Sequence, residues 1–190
     1  MPDFIFIAGA PGSGKSTLAK RLQEQLCSPC FEFGWIPEFR LPGPASQARE
    51  EALSFENLTL VVKNYARHGS RNIIVTDLND IRFREIPRRF ARYRYVILTL
   101  VVADDEVLKR RVLDETRSSG YRDCEAALRH NRLIRARRLL SNENRVDNTH
   151  GSVDETVDEI LTLLKAADNS PQDRNRGRRL PPASQFASYL

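Results

Sequence analysis

The sequence predicts an α/β domain built around a parallel β-sheet. Short apolar runs alternate along the chain with longer segments that show the three- and four-residue spacing of amphipathic helices. The first run, residues 4–8, is apolar without interruption, which is typical of a strand buried on both faces of a sheet. A glycine-rich segment follows at residues 9–14 and leads directly into a helical pattern. These features favour strand–helix–strand units with parallel strands.

The first half of the chain contains three of the predicted strands. Strand 1 is followed by a helix that carries Leu18, Leu22 and Leu26 on one face. A long helix precedes the third strand, and Gly69 lies where the left-handed residue at a helix C-terminus is expected. In chain order the predicted elements are strand 3–8, helix 17–26, strand 31–35, helix 46–68 and strand 73–77.

The second half of the chain adds two strands and four helices. A short helix that begins near Asp80 is expected to be disturbed by Pro87. Asp123 can cap a later helix, and Ser152 with Glu155 forms a capping box before the last helix. The other predicted elements are strand 95–102, helix 104–116, helix 124–140, strand 145–147 and helix 153–167.

A length of 190 residues supports one domain with a substantial core. We predict a folded domain over residues 1–167 and a flexible basic tail over residues 168–190, where Pro, Asn, Ser, Gln and Arg dominate. The alternative for the tail is a docking segment for a partner or a second protomer. The sequence leaves the oligomeric state open.

Positive charge is unevenly distributed along the chain, whose formal net charge is +5. Residues 82–94 hold six Arg against one acid, and residues 110–138 hold nine Arg against four acids. Such charge suits a protein that handles polyphosphates, although solvated helix faces account for many of these arginines. Aromatic residues are sparse among them, so a nucleic-acid partner is disfavoured but not excluded.

The location and redox state of the protein follow from simple sequence features. We expect a cytoplasmic protein without membrane contact, because no apolar run approaches a membrane span and the chain enters its first strand directly. Cys27 and Cys30 have the C-x-x-C spacing, but no second pair or nearby His completes a zinc site. They also lie at the end of a helix, so two ordinary cysteines are favoured over a metal or redox site.

The glycine-rich segment fits the phosphate-binding pattern G-x-x-x-x-G-K-[ST] at every fixed position. Its glycines allow a tight curl in which backbone N–H groups point at the phosphates of a nucleotide. Lys15 would reach the β- and γ-phosphates, and the Ser16 hydroxyl would bind Mg²⁺. The predicted phosphate-binding residues are Gly9, Ala10, Pro11, Gly12, Ser13, Gly14, Lys15, Ser16 and Thr17.

The chain resembles the small P-loop kinases, a group that includes nucleoside and nucleotide kinases, shikimate kinase, gluconate kinase and chloramphenicol phosphotransferase. The resemblance covers about residues 3–167 and rests on residues 9–16, the strand ending at Asp77, residues 111–122 and residues 145–149. It implies a three-layer P-loop fold whose five-stranded parallel sheet has the order 2-3-1-4-5, with a short lid at about residues 117–123. GTPases and transporter ATPases fit less well, because the chain lacks the additional sequence motifs of those classes. Large ring-forming ATPases fit less well, because they usually require a longer chain.

Two carboxylates are expected at the carboxyl edge of this sheet, where ligands of such folds bind. The resemblance implies that Asp77 supports Mg²⁺ and that Glu38, in a Pro-Glu segment after strand 2, takes the proton of an acceptor hydroxyl. A hydroxyl acceptor benefits from a base within hydrogen-bond reach, whereas a phosphate acceptor is already anionic and needs none. The alternatives are a helix-capping role for Asp77 and a simple ion pair between Glu38 and Arg40.

The remaining site residues belong to the lid and to the last strand. Arg117 and Arg122 flank Gly120 and are expected to close onto the β- and γ-phosphates, with Arg111 at the base of the lid. By the same resemblance, Asn148 and Thr149 lie beside the adenine ring. The three histidines have no arrangement that suggests covalent catalysis.

The resemblance therefore implies an ATP- and Mg²⁺-dependent phosphotransferase whose small-molecule acceptor is a nucleoside or a nucleotide-like compound. Lys15, Glu38, Asp77, Arg117 and Arg122 are its expected catalytic residues. Two alternatives remain open, namely a nucleotide-dependent binding module or slow ATPase that acts on a partner, and a polynucleotide 5′-kinase-like enzyme. The sequence decides neither the acceptor nor the choice between ATP and GTP.

Overall fold

A computed structural model describes residues 1–35, 46–116 and 119–168 of the chain. Its five strands form one parallel sheet in the order β2-β3-β1-β4-β5, which confirms the predicted fold and strand order. The strands are β1 (Phe4–Gly9), β2 (Cys30–Glu32), β3 (Ile73–Thr76), β4 (Tyr95–Val101) and β5 (Glu143–Asp147). The helices are α1 (Lys15–Leu26), α2 (Ser46–Arg67), α3 (Asp80–Arg89), α4 (Asp105–Leu113), α5 (Cys124–Ala136) and α6 (Val153–Asp168).

The central strand β1 is sealed from water on both of its faces. It pairs with β3 on one side and with β4 on the other, and Phe4 to Ile7 are at most 1% exposed. Phe4 and Phe6 pack towards Phe55 and Phe90 on one face, while Ile5 and Ile7 pack towards α1 and α6 on the other. This two-sided burial explains why the strand is apolar without alternation. It also fixes the end of β1, from which the glycine-rich segment starts.

Helix boundaries were predicted well where the capping signal lies next to the helix. Asp123 accepts the backbone N–H of Ala126, and Ser152 and Glu155 bond each other's backbone N–H groups. Gly69 adopts a positive φ of 94° after α2, as expected. Leu18 and Leu22 are buried, and Leu26 packs against the same cluster. These local predictions are confirmed.

Several predicted element boundaries or features differ from the structure, and four of them have a clear local cause. The second strand ends at Glu32, because Phe33–Trp35 form a 3₁₀ turn that contains Gly34. Helix α4 ends at Leu113, because the Asp114 carboxylate accepts the backbone N–H and the hydroxyl of Thr116.

The other two corrections concern α5 and α3. Helix α5 ends at Ala136, because Arg137 is extended and its guanidinium pairs with Glu143. Helix α3 continues through Pro87 to Arg89, because its own side chains Phe83 and Ile86 are buried and pack the inner face of the helix against the core. The loss of one backbone bond near the helix end is compatible with this packing.

The described part of the chain has no helix that is long and apolar enough to cross a bilayer. The predicted basic tail lies outside the described residues from position 169 onward. The domain boundary at residue 167 and the lid at residues 117–123 therefore stay predictions.

Candidate active site

The glycine-rich segment connects the end of β1 to the start of α1. Gly14 is the N-cap of α1 with φ 97°, and no acidic residue occupies the first turn of that helix. Glycine has no side chain with which to cap the helix, and an uncapped helix N-terminus is suited to an anion. The Lys15 ammonium donates to the carbonyl oxygen of Ala10 at 3.1 Å, so the lysine folds back over the loop. This arrangement is suited to the phosphates of a nucleotide.

Close packing fixes the shape of the loop from two sides. At Gly12, which has φ 85°, a Cβ atom would lie 2.7 Å from Val112 and 3.0 Å from Leu108 of α4. At Gly14 a Cβ atom would lie 2.7 Å from the amide nitrogen of Asn148. The same amide nitrogen donates to the carbonyl oxygen of Ser13 at 2.8 Å. The loop is thus a cradle held by α4 on one side and by the β5–α6 connection on the other.

Replacing Gly12 with alanine is expected to weaken nucleotide binding at least about tenfold, because the new methyl group meets α4 and the positive φ is strained. Gly69→Ala is the matched control, since Gly69 also has a positive φ of 94° but a Cβ atom there meets nothing within 4 Å. Titration of both variants with a fluorescent ATP analogue, alongside thermal unfolding, measures the effect. Nucleotide affinity of Gly12→Ala within twofold of the original protein would contradict this account of the loop.

Lys15, Ser16 and Asp77 line one open cleft with a volume of about 710 Å³. Asp77 directly follows β3 and adopts a positive φ of 67°, which turns the chain away from the sheet at its carboxyl edge. A Cβ atom at Gly34 would lie 3.5 Å from Oδ2 of Asp77, so the 3₁₀ turn after β2 passes beside this carboxylate. A lysine, a hydroxyl and a carboxylate from three different segments therefore face the same space. Other predicted residues on the cleft are Pro11, Gly12, Gly14, Thr17, Arg111 and Asn148.

Arg111 also lines the cleft, near the end of α4. Its guanidinium donates to the carbonyl oxygens of Asn148 at 2.6 Å and Thr149 at 3.0 Å. Burial, with a smaller effect of Arg110, lowers the pKa of Arg111. Arg111 is thus half-buried and bound to the β5–α6 connection. Its hydrogen bonds link the base of the predicted lid to Asn148 and Thr149, the two residues predicted to lie beside adenine.

The two predicted adenine contacts have different environments. The Asn148 amide bridges Ser13 and the Thr156 hydroxyl, and Asn148 lines the cleft. Thr149 is buried, and its hydroxyl bonds Asp147 and the backbone N–H of Ala103. Thr149 is not among the described residues that line the cleft, and its contact with adenine stays a prediction.

The lid arginines and the proposed base are described only in part. Arg122 donates to the carbonyl oxygens of Ser119 at 2.6 Å and Tyr121 at 2.9 Å, and it does not line the cleft. Arg117, Glu38 and Arg40 lie outside the described residues. The roles assigned to these residues stay predictions.

Sequence patterns missed several residues of the cleft. Asp114 and Thr116 follow α4, and Val153 at the start of α6 is 39% exposed, which is a large fraction for an apolar residue. Tyr121 is the aromatic residue on the lid side, and its position in a polar segment was the available signal. Among the residues that the structure describes, the missed lining residues are Leu18, Asp114, Thr116, Ser119, Tyr121, Gly151, Val153 and Thr156.

His130 is a further residue that the sequence patterns did not single out. It lies on α5, and burial together with the nearby charge of Lys15 lowers its pKa, while Asp80 acts in the opposite direction. Its neighbour Asn131 bonds both the N–H and the carbonyl of Val102, which fixes α5 at the carboxyl edge of β4. Burial and the charge of Lys15 therefore both favour the neutral form of this imidazole.

The donor set of the cleft suits Mg²⁺ bound together with phosphates. Among the described residues no group of three His, Cys, Asp or Glu side chains is placed to hold a metal by itself. Mg²⁺ is usually held by one or two carboxylates with substrate phosphates and water, and the pair Ser16 and Asp77 matches that pattern.

A second hollow lies beside α1 and is lined by Ser16, Thr17, Lys20, Arg21 and Glu24.

The fold occurs in small kinases of known structure. A sugar kinase from Janibacter sp. matches with a TM-score of 0.63 and 16% identity over 88% of this chain and 96% of that chain. A gluconokinase from Sinorhizobium meliloti matches with a TM-score of 0.62 and 16% identity over 88% and 95% of the two chains. A shikimate kinase from Acinetobacter baumannii, in complex with shikimate, matches with a TM-score of 0.56 and 19% identity over 88% and 96%. These likenesses establish the fold.

The sequence itself also matches a family model. No curated protein matches the chain significantly. The model of the family described as AAA domain matches residues 5–158, which include the phosphate-binding loop, the Asp77 strand and the β5–α6 connection. The chain therefore belongs to this AAA-domain family, and its fold is that of the small P-loop kinases.

Proposed function

We propose that the protein is an ATP- and Mg²⁺-dependent phosphotransferase that moves the γ-phosphate of ATP to a hydroxyl group of a small molecule, with a nucleoside or nucleotide-like compound as the expected class. One observation carries the proposal: Lys15, Ser16 and Asp77 face a single cleft beside the cradle formed by Gly12 and Gly14. A sugar kinase, a gluconokinase and a shikimate kinase among the structural neighbours support a small-molecule acceptor.

Each residue has a distinct chemical task in this proposal. The N–H groups of the loop and the Lys15 ammonium hold the β- and γ-phosphates and stabilise the charge that develops on them. Ser16 and Asp77 would hold Mg²⁺, which supplies charge neutralisation and orients the phosphate oxygens when it is bound. Arg111 and the β5–α6 connection would border the base, and Arg117 with Arg122 would close over the transferred group.

The proposed reaction is a single in-line transfer. The acceptor hydroxyl gives its proton to the Glu38 carboxylate, its oxygen bonds to the γ-phosphorus, and the bond from that phosphorus to the bridging oxygen of ADP breaks. Most of the rate acceleration would come from positioning and from charge stabilisation, because the protein forms no bond to the phosphoryl group.

A coupled assay of ADP release from Mg-ATP tests this function. The panel holds nucleosides, nucleotides, sugars, sugar acids and aminoglycoside- or chloramphenicol-type antibiotics, with a reaction that lacks an acceptor as the control. We expect ADP release that depends on one class of acceptor, with the phosphorylated product visible by mass spectrometry. Release that ignores every acceptor would favour the slow ATPase that acts on a partner.

Glu38→Gln is expected to lower kcat by a factor of about 100 while the KM for ATP changes little, because an amide cannot accept the hydroxyl proton. Glu159→Gln on the exposed face of α6 is the matched control, since it removes one carboxylate far along the chain from the proposed base. Steady-state kinetics with ATP and the best acceptor measure the two constants separately. An unchanged kcat would remove Glu38 from the mechanism.

A further inference from the structure

Asn148 in the β5–α6 connection is fixed through both its backbone and its side chain. Its backbone N–H donates to the carbonyl oxygen of Val101 at 2.9 Å, and its carbonyl oxygen accepts the Arg111 guanidinium at 2.6 Å. Its amide nitrogen donates to the carbonyl oxygen of Ser13 at 2.8 Å, and its amide oxygen accepts the Thr156 hydroxyl at 3.1 Å. Each polar group of Asn148 therefore has a protein partner, and these partners come from four different segments.

The chemistry of these partners fixes the orientation of the Asn148 amide. The Ser13 carbonyl only accepts hydrogen bonds, so it must face the amide nitrogen, whereas the Thr156 hydroxyl can donate to the amide oxygen. The reverse orientation would place two acceptor oxygens against each other. Thr156 is 5% exposed, and its hydroxyl also lies 3.0 Å from the carbonyl oxygen of Ser152 one turn earlier, so the start of α6 holds it in place. A directed chain of hydrogen bonds thus runs from Thr156 through Asn148 to Ser13.

The bond from Asn148 determines which way the peptide between Ser13 and Gly14 faces. The described residues have no cis peptide bond, and in a trans peptide the carbonyl and the N–H point in opposite directions. Because the Ser13 carbonyl points at Asn148, the N–H of Gly14 points away from the β5–α6 connection. Gly14 is the N-cap of α1, so this N–H belongs to the helix N-terminus that is suited to an anion.

Glycine makes this orientation easy to lose. Gly14 has φ 97° and ψ 11°, and a residue without a Cβ atom adopts positive and negative φ about equally readily. If the Ser13–Gly14 peptide turned over, its carbonyl oxygen would replace the N–H that faces an anion, and two negatively polarised groups would repel each other. A Cβ atom at Gly14 would lie 2.7 Å from the amide nitrogen of Asn148, so the absence of that atom also lets Asn148 come close enough to hold the peptide.

We propose that Asn148 and Thr156 are positioning residues that hold the Ser13–Gly14 peptide with its N–H directed at a nucleotide phosphate, so that their contribution to binding depends on the polyphosphate and not on the base. This inference rests on the proposed phosphotransfer function and deepens it. A donor that is held in place binds an anion more strongly than a donor that must first reorient. Loss of the hydrogen-bond chain therefore weakens every ligand that carries the phosphates.

Competition against a fluorescent ATP analogue tests this dependence with two probes in the presence of Mg²⁺, ATP and inorganic tripolyphosphate, which has the phosphates but no base. In Asn148→Ala we expect both dissociation constants to rise by similar factors of at least about tenfold, because two hydrogen bonds are lost and the peptide is released. Weaker binding of ATP alone, with tripolyphosphate within twofold of its original affinity, would mean that Asn148 contacts the base and would overturn the inference. Unchanged binding of both probes is equally incompatible with it.

Thr156→Val is the second variant, and it carries the test if Asn148→Ala does not fold. It keeps the branched shape of the buried side chain and removes the hydroxyl, so we expect both probes to bind about 3- to 10-fold more weakly and Thr156→Ser to restore binding. Thr162→Val is the matched control, since the exposed Thr162 hydroxyl bonds the carbonyl of Asp158 at 2.9 Å in the way that Thr156 reaches Ser152. Equal losses in Thr156→Val and Thr162→Val would assign the effect to helix α6 and contradict the inference.

The amide proton of Gly14 reports the orientation of the peptide directly. A backbone N–H that donates to a phosphate oxygen shifts downfield in the NMR spectrum, so saturating tripolyphosphate should move this resonance in the original protein and move it clearly less in Asn148→Ala. Equal shifts in the two proteins would show that the peptide keeps its orientation without Asn148, and the inference would be wrong while the proposed function stands. If the original protein binds neither ATP nor tripolyphosphate, the proposed function itself fails, and the inference fails with it.

Discussion

Replacing Lys15 with alanine is expected to lower kcat/KM for phosphoryl transfer at least about 1000-fold. The ammonium group is the positive side chain that the loop itself contributes to the cleft, and it folds over the loop to reach the carbonyl oxygen of Ala10. Charge that develops on the transferred group must be stabilised by preorganised positive groups, because the phosphoryl transfer involves little bonding to the protein. Loss of this group therefore affects the transition state more than the ground state.

Two controls separate this effect from loss of structure. Lys20→Ala removes an exposed lysine five residues later on the same helix, and its kcat/KM is expected to stay within twofold of the original value. Lys15→Arg keeps the charge but replaces a compact ammonium with a planar fork, so it should retain only part of the activity. Circular dichroism and thermal unfolding show whether each variant folds. Near-normal turnover by folded Lys15→Ala would refute the phosphotransfer role of this loop.

The sequence predicted those features whose determinants lie close together in the chain. The phosphate-binding loop, the buried strand before it and the capping box at Ser152 each fit within ten residues, and the structure has all three. The strand order came from a resemblance rather than from periodicity, because a hydrophobic pattern does not state which strand lies beside which. Pairing of β1 with both β3 and β4 joins segments that are about seventy and ninety residues apart.

The side-chain network around the site could not be predicted in the same way. The sequence prediction began the last strand after Glu143. In the structure the Glu143 carboxylate accepts hydrogen bonds from the Thr99 hydroxyl at 2.5 Å and from Arg137. Nothing in the local sequence distinguishes Arg137 from the exposed Arg135 and Arg138 beside it. Only the three-dimensional arrangement shows which arginine is buried, because its partner carboxylate lies on β5, six residues later in the chain.

Asn148 in the β5–α6 connection has hydrogen bonds that the sequence did not reveal, and its contact with adenine stays a prediction. Asn148 was expected beside the adenine ring, and the structure has it on the cleft wall. Its amide also bonds the carbonyl of Ser13 and accepts the hydroxyl of Thr156, so the residue holds the phosphate-binding loop in position. A sequence motif locates such a residue, but its hydrogen-bond partners depend on how three segments meet.

Removing the cation from this buried network is expected to have the largest effect on stability. Arg137→Met should lower the free energy of unfolding by about 3–5 kcal/mol, because it leaves the Glu143 carboxylate buried without its partner charge. Glu143 is 0% exposed at its side chain, and Thr99 and the backbone N–H of Leu140 are the donors that would remain. Arg138→Met on the exposed side is the matched control and should change the value by less than about 0.5 kcal/mol.

The pH dependence of stability distinguishes this cause from loss of packing. Burial by itself raises the pKa of Glu143, but hydrogen bonds from Arg137, Leu140 and Thr99 outweigh it, so the folded-state pKa lies below the ordinary value. A carboxylate with a lowered folded pKa stabilises the protein above its unfolded pKa, and this contribution disappears as the pH falls through the folded pKa. In Arg137→Met burial should dominate and raise the pKa, so protonation of Glu143 in the folded state restores stability as the pH falls.

The difference in unfolding free energy between the original protein and Arg137→Met should therefore shrink as the pH is lowered from 7 towards 5, and urea titrations at several pH values measure it. The double variant Arg137→Met with Glu143→Leu removes both charges and should recover most of the loss, because a buried ion pair is often replaceable by apolar side chains. A difference that stays constant with pH, or a double variant no more stable than Arg137→Met, would mean that the arginine acts through packing. The boundary between α5 and β5 would then depend on shape rather than on charge.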